Sequence, residues 1–305
     1  MAKLVTIVGS YNVGIFLKSS KFPKPGETIL ADNYFEGPGG KGSNQALTAK
    51  KLGANTTFIG KLGNDKYGTD ALELYKSSGI NTSKIFVDEL SHTGVSIILI
   101  NSEGENLISV SLGANEELSL SDLNSCENVF SESKVVGFQL ENNLETVIHG
   151  IELSKKSNTL TFLDPAPAQT LPSEVYKNLD FIKPNETETE ILTGIKVKNN
   201  EDALEAGKWF ISRGVKNTII TMGRNGVVWV SNETNKFYKT PNVTESDTTG
   251  AGDIFAGAFL KEFVDTNNVD KSIQYAVVAA SLSVEKAGVV ESIPSQEHIQ
   301  TFMKK

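Results

Sequence analysis

Strand-like and helix-like segments alternate along most of this chain, no linker or internal repeat interrupts them, and two short stretches carry strand signals without accompanying helices. The alternation predicts an α/β fold, a mostly parallel sheet covered by helices on both faces. The helix-free stretches predict a small β lid beside that sheet. A chain of 305 residues suits one large α/β domain or two ordinary ones. With no Pro/Gly/Ser-rich linker in sight, the expectation is a single domain over residues 1–305, with lid segments inserted at about 12–35 and 93–111.

The elements follow in order. Leu4–Val8 is an apolar strand. Residues 12–35 break the rhythm, because Phe22-Pro23-Lys24-Pro25-Gly26-Glu27 is rich in turn formers and is followed by a strand-like run over 28–35. A helix over 43–52, a strand over 56–59 and a helix over 70–78 restore the alternation. Residues 95–100 and 106–110 flank Asn101-Ser102-Glu103-Gly104-Glu105, which reads as a β-hairpin. Val135–Phe138, Leu160–Leu163 and 218–221 are further strands, and 144–155, 186–192, 202–212, 251–264 and 271–286 are helices. Ligands then belong at the carboxyl ends of the strands. The lid strands have no helices to cover them, so pairing through the lid in a homodimer is expected.

Hydrophobic residues make up 39% and charged residues 22%, as in a soluble globular protein with a substantial core. A formal charge of −8 argues against nucleic-acid or membrane partners, since no basic excess holds phosphates electrostatically. Cys126 is the only cysteine and fits a reducing cytoplasm. Met1-Ala2-Lys3 runs into the first strand without signal-peptide architecture, and the apolar stretch at 276–284 is too short to span a bilayer. His92, His149 and His298 form no metal-ligand spacing.

Asp247-Thr248-Thr249-Gly250-Ala251-Gly252-Asp253 precedes an apolar helix and carries the parts of a phosphoryl-transfer site. Its glycines permit close backbone approach. The amides of Gly250, Ala251 and Gly252 open the helix, where unpaired N–H groups and the macrodipole favour an anion. Asp253 beside them is a candidate general base for a hydroxyl acceptor. The bland reading is an acidic first turn on a glycine-rich helix start.

A second glycine loop, Gly37-Pro38-Gly39-Gly40-Lys41-Gly42-Ser43-Asn44, opens another helix. It is no Walker A loop, because Gly42 stands where Ser or Thr must follow the Lys, and no dinucleotide fingerprint. It offers Lys41 and Asn44 to hydroxyls or carboxylates, or it is simply an eased strand–helix junction. Asn185 and Glu188, in Lys183-Pro184-Asn185-Glu186-Thr187-Glu188, read as a capping box, as outer-shell partners of Mg²⁺, or as both. Thr221-Met222-Gly223-Arg224-Asn225-Gly226 follows a strand and could present Thr221 and backbone amides to a nucleotide, though a plain turn explains it too. Glu141 ends another strand as a possible acceptor for sugar hydroxyls.

These motifs, in this order and spacing from Val5 to Pro294, resemble the ribokinase family of sugar kinases. Gly9-Ser10-Tyr11-Asn12, Pro25-Gly26-Glu27-Thr28, Gly104-Glu105-Asn106, Gly113-Ala114-Asn115 and Pro165-Ala166-Pro167-Ala168 belong to the same pattern. The resemblance implies a three-layer αβα sandwich whose β lid closes over a sugar, with ATP and Mg²⁺ as cofactors and K⁺ bound nearby. It implies Asp253 as base and Gly250, Ala251 and Gly252 as the anion hole. Sugar contacts would come from Asn12, Gly14, Gly40, Lys41, Gly42, Asn44, Glu141 and Asp253. The nucleotide would meet Asn185, Thr221, Gly223, Gly226, Gly252 and Val277, with Asn185 and Glu188 organising Mg²⁺ through water. Positions matching the K⁺ site are Asp247, Thr249, Ser283, Lys286, Gly288 and Ser292, several through backbone carbonyls. The first substrate implied is D-ribose, phosphorylated to ribose 5-phosphate.

One departure bears on that substrate. The family places an Asp two residues after the Asn of this segment, and here Gly14 stands there. A carboxylate accepting from hydroxyls contributes roughly 1.5–3 kcal/mol per bond. Either Glu141 or water compensates, or the room beside Gly14 admits another sugar, a bulkier one, or a nucleoside. A catalytically dead sugar-binding homologue on the same fold is the rival outside enzymes, and the presence of Asp253, Asn185 and Glu188 speaks against it.

Overall fold

The computed structural model describes residues 4–304; residues 1–3 and 305, the ends of the expected domain span, lie outside them. The strands are β1 (Leu4–Val8), β2 (Asn12–Lys18), β3 (Asn33–Gly39), β4 (Asn55–Gly63), β5 (Asn81–Asp88), β6 (Gly94–Ile100) and β7 (Asn106–Ser111). There follow β8 (Val135–Phe138), β9 (Leu160–Leu163), β10 (Phe181–Ile182), β11 (Asn217–Thr221), β12 (Val227–Ser231) and β13 (Asn235–Tyr238). The helices are α1 (Lys41–Lys51), α2 (Lys66–Ser78), α3 (Leu120–Asn124), α4 (Glu127–Glu132), α5 (Leu144–Lys156) and α6 (Ser173–Tyr176). They continue with α7 (Glu186–Thr193), α8 (Asn200–Ile211), α9 (Ala251–Thr266), α10 (Val269–Ser283) and α11 (Gln296–Met303).

Nine strands form the main sheet in the order β13-β12-β11-β10-β9-β8-β1-β4-β5. It is parallel from β5 to β11, and only the β11–β12–β13 edge is antiparallel. The central strands β1, β8, β9 and β10 are buried on both faces, so neighbouring residues serve opposite cores. Ile7, Phe58, Phe162, Phe181 and Ile219 join the core under α1, α2, α9, α10 and α11. Val8, Ile59, Leu163 and Ile182 join the core under α3 to α6 and α8. This is the layered sandwich the alternation predicts. Phe259 of α9 packs on Phe162 at 5.4 Å and Phe181 at 5.3 Å between ring centroids. Truncating such a ring costs about 3–5 kcal/mol, so the helix that carries Asp253 is anchored by its apolar face.

The lid is a separate four-stranded sheet in the order β3-β2-β6-β7. Its first segment is corrected: residues 28–32 are not strand, and β3 instead runs through Gly37, Pro38 and Gly39, which the sequence reading assigned to a loop. Pairing with β2 overrides the glycines, and Pro38 is tolerated because β3 is an edge strand. The hairpin of β6 and β7 stands as expected, with its register from Val95 opposite Ser111 to Ile100 opposite Asn106. The helix expected over 70–78 begins at Lys66, because Asp65 caps it by accepting from Gly68 N at 2.8 Å. The last long helix ends at Ser283 rather than 286. No helix among the described residues is long and apolar enough to cross a membrane.

The chain passes between lid and main sheet four times, and the first and last of these passages meet at one residue. Tyr11 N donates to Asn115 Oδ1 at 3.0 Å. Asn115 Nδ2 donates to Tyr11 O and to Asn12 Oδ1, at 2.9 Å each. Tyr11 lies between β1 and β2, and Asn115 in the turn after β7.

Candidate active site

Gly250 takes φ 75°, a left-handed conformation open to glycine, and so turns the chain from Thr249 into α9. Asp253 falls in the first helical turn and is 7% exposed. Both its oxygens are held as acceptors: Asn44 Nδ2 donates to Oδ2 at 2.8 Å and Gln45 Nε2 to Oδ1 at 3.3 Å. A carboxylate so gripped by amides keeps one orientation and presents its remaining lone pairs to a ligand. The expected anion hole needs one correction. The Ala251 amide is partly spent on Thr248 O at 3.3 Å, because the tight turn at Gly250 folds these residues together. Gly252 N–H has no protein acceptor among the described residues.

At the head of α1, the Lys41 amide meets Glu141 while Asn44 reaches Asp253. Glu141 Oε2 accepts from Ser10 Oγ at 2.5 Å, Lys41 N at 2.9 Å and Asn12 Nδ2 at 3.5 Å. Asn44 Oδ1 is buried with no partner, an acceptor left over after its amide binds Asp253. Lys41 is held charged: burial opposes its ammonium, but Asp253, Asp164, Glu141 and Glu188 together push its pKa above the ordinary lysine value. Gly40 and Gly42 touch backbone, so they shape the loop and offer no side-chain contact.

The expected room beside Gly14 is also corrected. A Cβ there would lie 2.7 Å from Phe16 Cε2. Residues two apart on a strand share a face, so the Phe16 ring fills the space an Asp at 14 would use. Phe16 stacks on Phe35 with centroids 4.4 Å apart.

A cleft of about 510 Å³ runs from Asp253 past Lys41, Asn185 and Glu188. Thr221, Gly223, Gly226 and Val277 line it too, so the expected nucleotide residues converge. Asn185 and Glu188 do form the capping box: Glu188 Oε2 accepts from Asn185 N at 2.8 Å and Asn185 Oδ1 accepts from Glu188 N at 2.8 Å. No group of three or more His, Cys, Asp or Glu that could hold a metal ion occurs among the described residues. One half-buried carboxylate beside an amide fits an ion that keeps its waters and leans on phosphates.

Of the expected K⁺ positions, Thr249 and Gly288 meet Asp247. Its Oδ1 accepts from Thr249 N at 2.9 Å and its Oδ2 from Gly288 N at 3.2 Å. Lys286 N donates to Ser283 O at 3.2 Å. The hydroxyls of Ser283 and Ser292 donate to Ala280 O and Val289 O.

Sequence reasoning missed Gln45, Asp164 and Lys183. Gln45 Nε2 also donates to Asp164 Oδ2 at 2.9 Å, and Lys183 Nζ lies 3.1 Å from the same oxygen. Burial pushes the Asp164 carboxyl up to about 7, against the pull of the Lys183 ammonium. Asp164 directly precedes the Pro165-Ala166-Pro167 motif and Lys183 precedes Pro184-Asn185, so both lay beside motifs already singled out.

A family model described as pfkB family carbohydrate kinase matches residues 2–296. The ribokinase of Haemophilus influenzae is 35% identical over 304 residues, covering 100% of this chain and 99% of its own. The deoxyribokinase of Salmonella typhimurium is 34% identical over 300 residues, covering 98% of each chain. The structure of Arabidopsis thaliana ribokinase complexed with ribose and ATP is 29% identical, covers 100% of both chains and superposes with a TM-score of 0.92.

Proposed function

Because the chain belongs to the pfkB family of carbohydrate kinases, and is an ATP-dependent sugar kinase, we propose that it transfers the γ-phosphoryl group of ATP to the primary hydroxyl of D-ribose, giving ribose 5-phosphate. The observation that carries the reading is Asp253, oriented through both oxygens at the head of α9 and lining the cleft beside the free Gly252 amide.

In the proposed reaction Asp253 takes the proton of the attacking CH₂OH as its oxygen bonds to the γ-phosphorus. The bond from that phosphorus to the β–γ bridging oxygen breaks, and its electron pair leaves with ADP. The head of α9 receives the charge that develops on the migrating group. Asn12, Asn44 and Glu141 orient the sugar, the unpartnered Asn44 Oδ1 accepting from one hydroxyl. Thr221, Gly223, Gly226 and Val277 hold the nucleotide. Asn185 and Glu188 would hold Mg²⁺ through its waters, and that ion supplies neutralisation of phosphate charge when bound. The carbonyls around Asp247, with Thr249, Ser283, Lys286, Gly288 and Ser292, would hold K⁺.

A second reading rests on Phe16. The face of β2 that carries Asn12 continues into Gly14 and an aromatic ring, which offer no acceptor to sugar hydroxyls. That favours a sugar lacking a hydroxyl on this side, a deoxypentose, and agrees with the deoxyribokinase relative. The lid exposes Phe35, Ile97, Leu107, Ile108 and Val110, apolar side chains that a second copy of the chain would cover in a homodimer. We place the enzyme in the cytoplasm, where ATP is available.

The test is ADP release by purified protein with MgATP and KCl across D-ribose, deoxypentoses, ketohexoses and nucleosides. Strongest turnover on D-ribose is expected. A deoxypentose exceeding ribose, with the order reversed by combining Gly14→Asp and Phe16→Ala, would replace ribose by the second reading. ADP release indifferent to added sugar would sink the kinase reading altogether.

A further inference from the structure

Lys183 is a buried cation that the reaction above does not use. It leaves β10 at the carboxyl edge of the sheet, and its side chain is only 4% exposed. Its ammonium lies 3.1 Å from Asp164 Oδ2, itself 2% exposed, and 3.4 Å from the Gly252 carbonyl. An ammonium has one more N–H than these two acceptors use, and Lys183 lines the cleft with Asp253 and Gly252. A Cβ placed on Gly252 would meet one neighbour, this Nζ at 3.4 Å. The cation therefore stands directly under the first turn of α9.

Two arguments turn this placement into a role. Burying an ion pair is weak support for a fold, since desolvation offsets the attraction between the charges. Moreover, a triphosphate entering the cleft meets Asp253, Asp164, Glu186, Glu188 and Glu245 along its lining, with Lys41, Lys183 and Arg224 as the cations, Arg224 being paired with Glu245. Lys41 meets Glu141 through its main-chain amide, at the head of α1, whereas the Lys183 ammonium itself abuts the main chain of Gly252, at the turn that would receive the migrating group.

We propose that Lys183 is a further catalytic residue, whose remaining N–H donates to an oxygen of the transferred phosphoryl group while Asp164 and the Gly252 carbonyl fix its ammonium. The proposal rests on the kinase reading and deepens it. Lys183 stays protonated throughout: the hydroxyl proton goes to Asp253, the new O–P bond forms at the sugar, and the electron pair of the broken bond leaves with ADP. Asp164 is a positioning residue. Through Gln45 it also shares a donor with Asp253, so base and cation are held in one hydrogen-bonded frame.

The test uses Lys183→Gln, Lys183→Arg and the doubly neutral Lys183→Gln/Asp164→Asn. Two readouts are taken: sugar-dependent kcat, and the affinities for ADP and for a non-hydrolysable ATP analogue measured by calorimetry. Lys183→Gln should lower kcat by about 100-fold, the scale of one preorganised donor to a developing charge. It should weaken the triphosphate analogue by about tenfold while ADP binding holds, and Lys183→Arg should recover part of both. The double variant removes the unpaired buried charge and should remain slow. Recovery of kcat in the double variant, equal loss of ADP and analogue affinity, or a folded Lys183→Gln within about threefold of the original kcat would each overturn the proposal. If the unaltered protein shows no sugar-dependent turnover, the kinase reading fails on that arm, and the triphosphate-against-diphosphate comparison still decides Lys183.

Discussion

At the head of α1, a methyl group on Gly42 would strike the backbone of Gly9 and Ser10 at 2.7 Å, and one on Gly40 would strike the backbone of residues 10–12 at 2.7–2.9 Å. At the head of α9, a methyl group on Gly252 would meet only the Lys183 ammonium, at 3.4 Å. The two loops look alike in sequence, yet glycine serves different ends in them. The first is closed against its own chain, and its glycines allow α1 to pack on the turn that leaves β1. The second faces the cleft, and Gly252 leaves the head of α9 open to it.

The largest effect should come from the side chain that the open loop presents. Asp253→Asn should cost roughly 10²–10⁴ in kcat, with nucleotide affinity and melting temperature near those of the original; near-full activity would remove the base from the mechanism. Next comes the closed loop. Gly42→Ala must displace backbone, and overpacking of that kind costs about 1–3 kcal/mol or more, so thermal or denaturant unfolding should reveal a large loss of stability. A fully stable Gly42→Ala protein would erase the distinction between the loops. Gly252→Ala should do the reverse, with stability unchanged or raised by about 0.5–1 kcal/mol through better helix propensity. Its kcat should fall by about tenfold as the methyl group intrudes on the anion's approach. The smallest effect concerns the group between the loops. Asp164 is raised to about 7 by burial, so the folded chain retains a proton there that the unfolded chain releases near the ordinary 3.8. Its contribution to stability is full below that lower value and is lost as pH rises through about 7. Asp164→Asn should therefore flatten the melting temperature between pH 4 and pH 8; an unaltered slope would assign that pH dependence to other groups.

What the sequence made legible follows the same division between local and distant causes. Leu4–Val8, Val135–Phe138 and Leu160–Leu163 were bounded correctly because central strands buried on both faces are continuous apolar runs. β10 has two residues and gives no such run, and the β12–β13 edge follows a turn that masked its pairing. β3 hid in its glycines and proline, since only its partner makes it a strand. In the site, Asp253 and Asn44 were legible from motifs that open helices. The grip of Gln45 on Asp253 joins residues 208 positions apart, and that of Gln45 on Asp164 spans 119. No local pattern announces such contacts.

Asn115 gives the lid a mechanical property. The chain first enters the lid at Tyr11 and Asn12 and last leaves it at Leu112 to Asn115, and of the four passages between lid and main sheet one carboxamide ties these two together. Two stretches of chain 104 residues apart are thereby held as one joint, so neither can shift without breaking a hydrogen bond to the other.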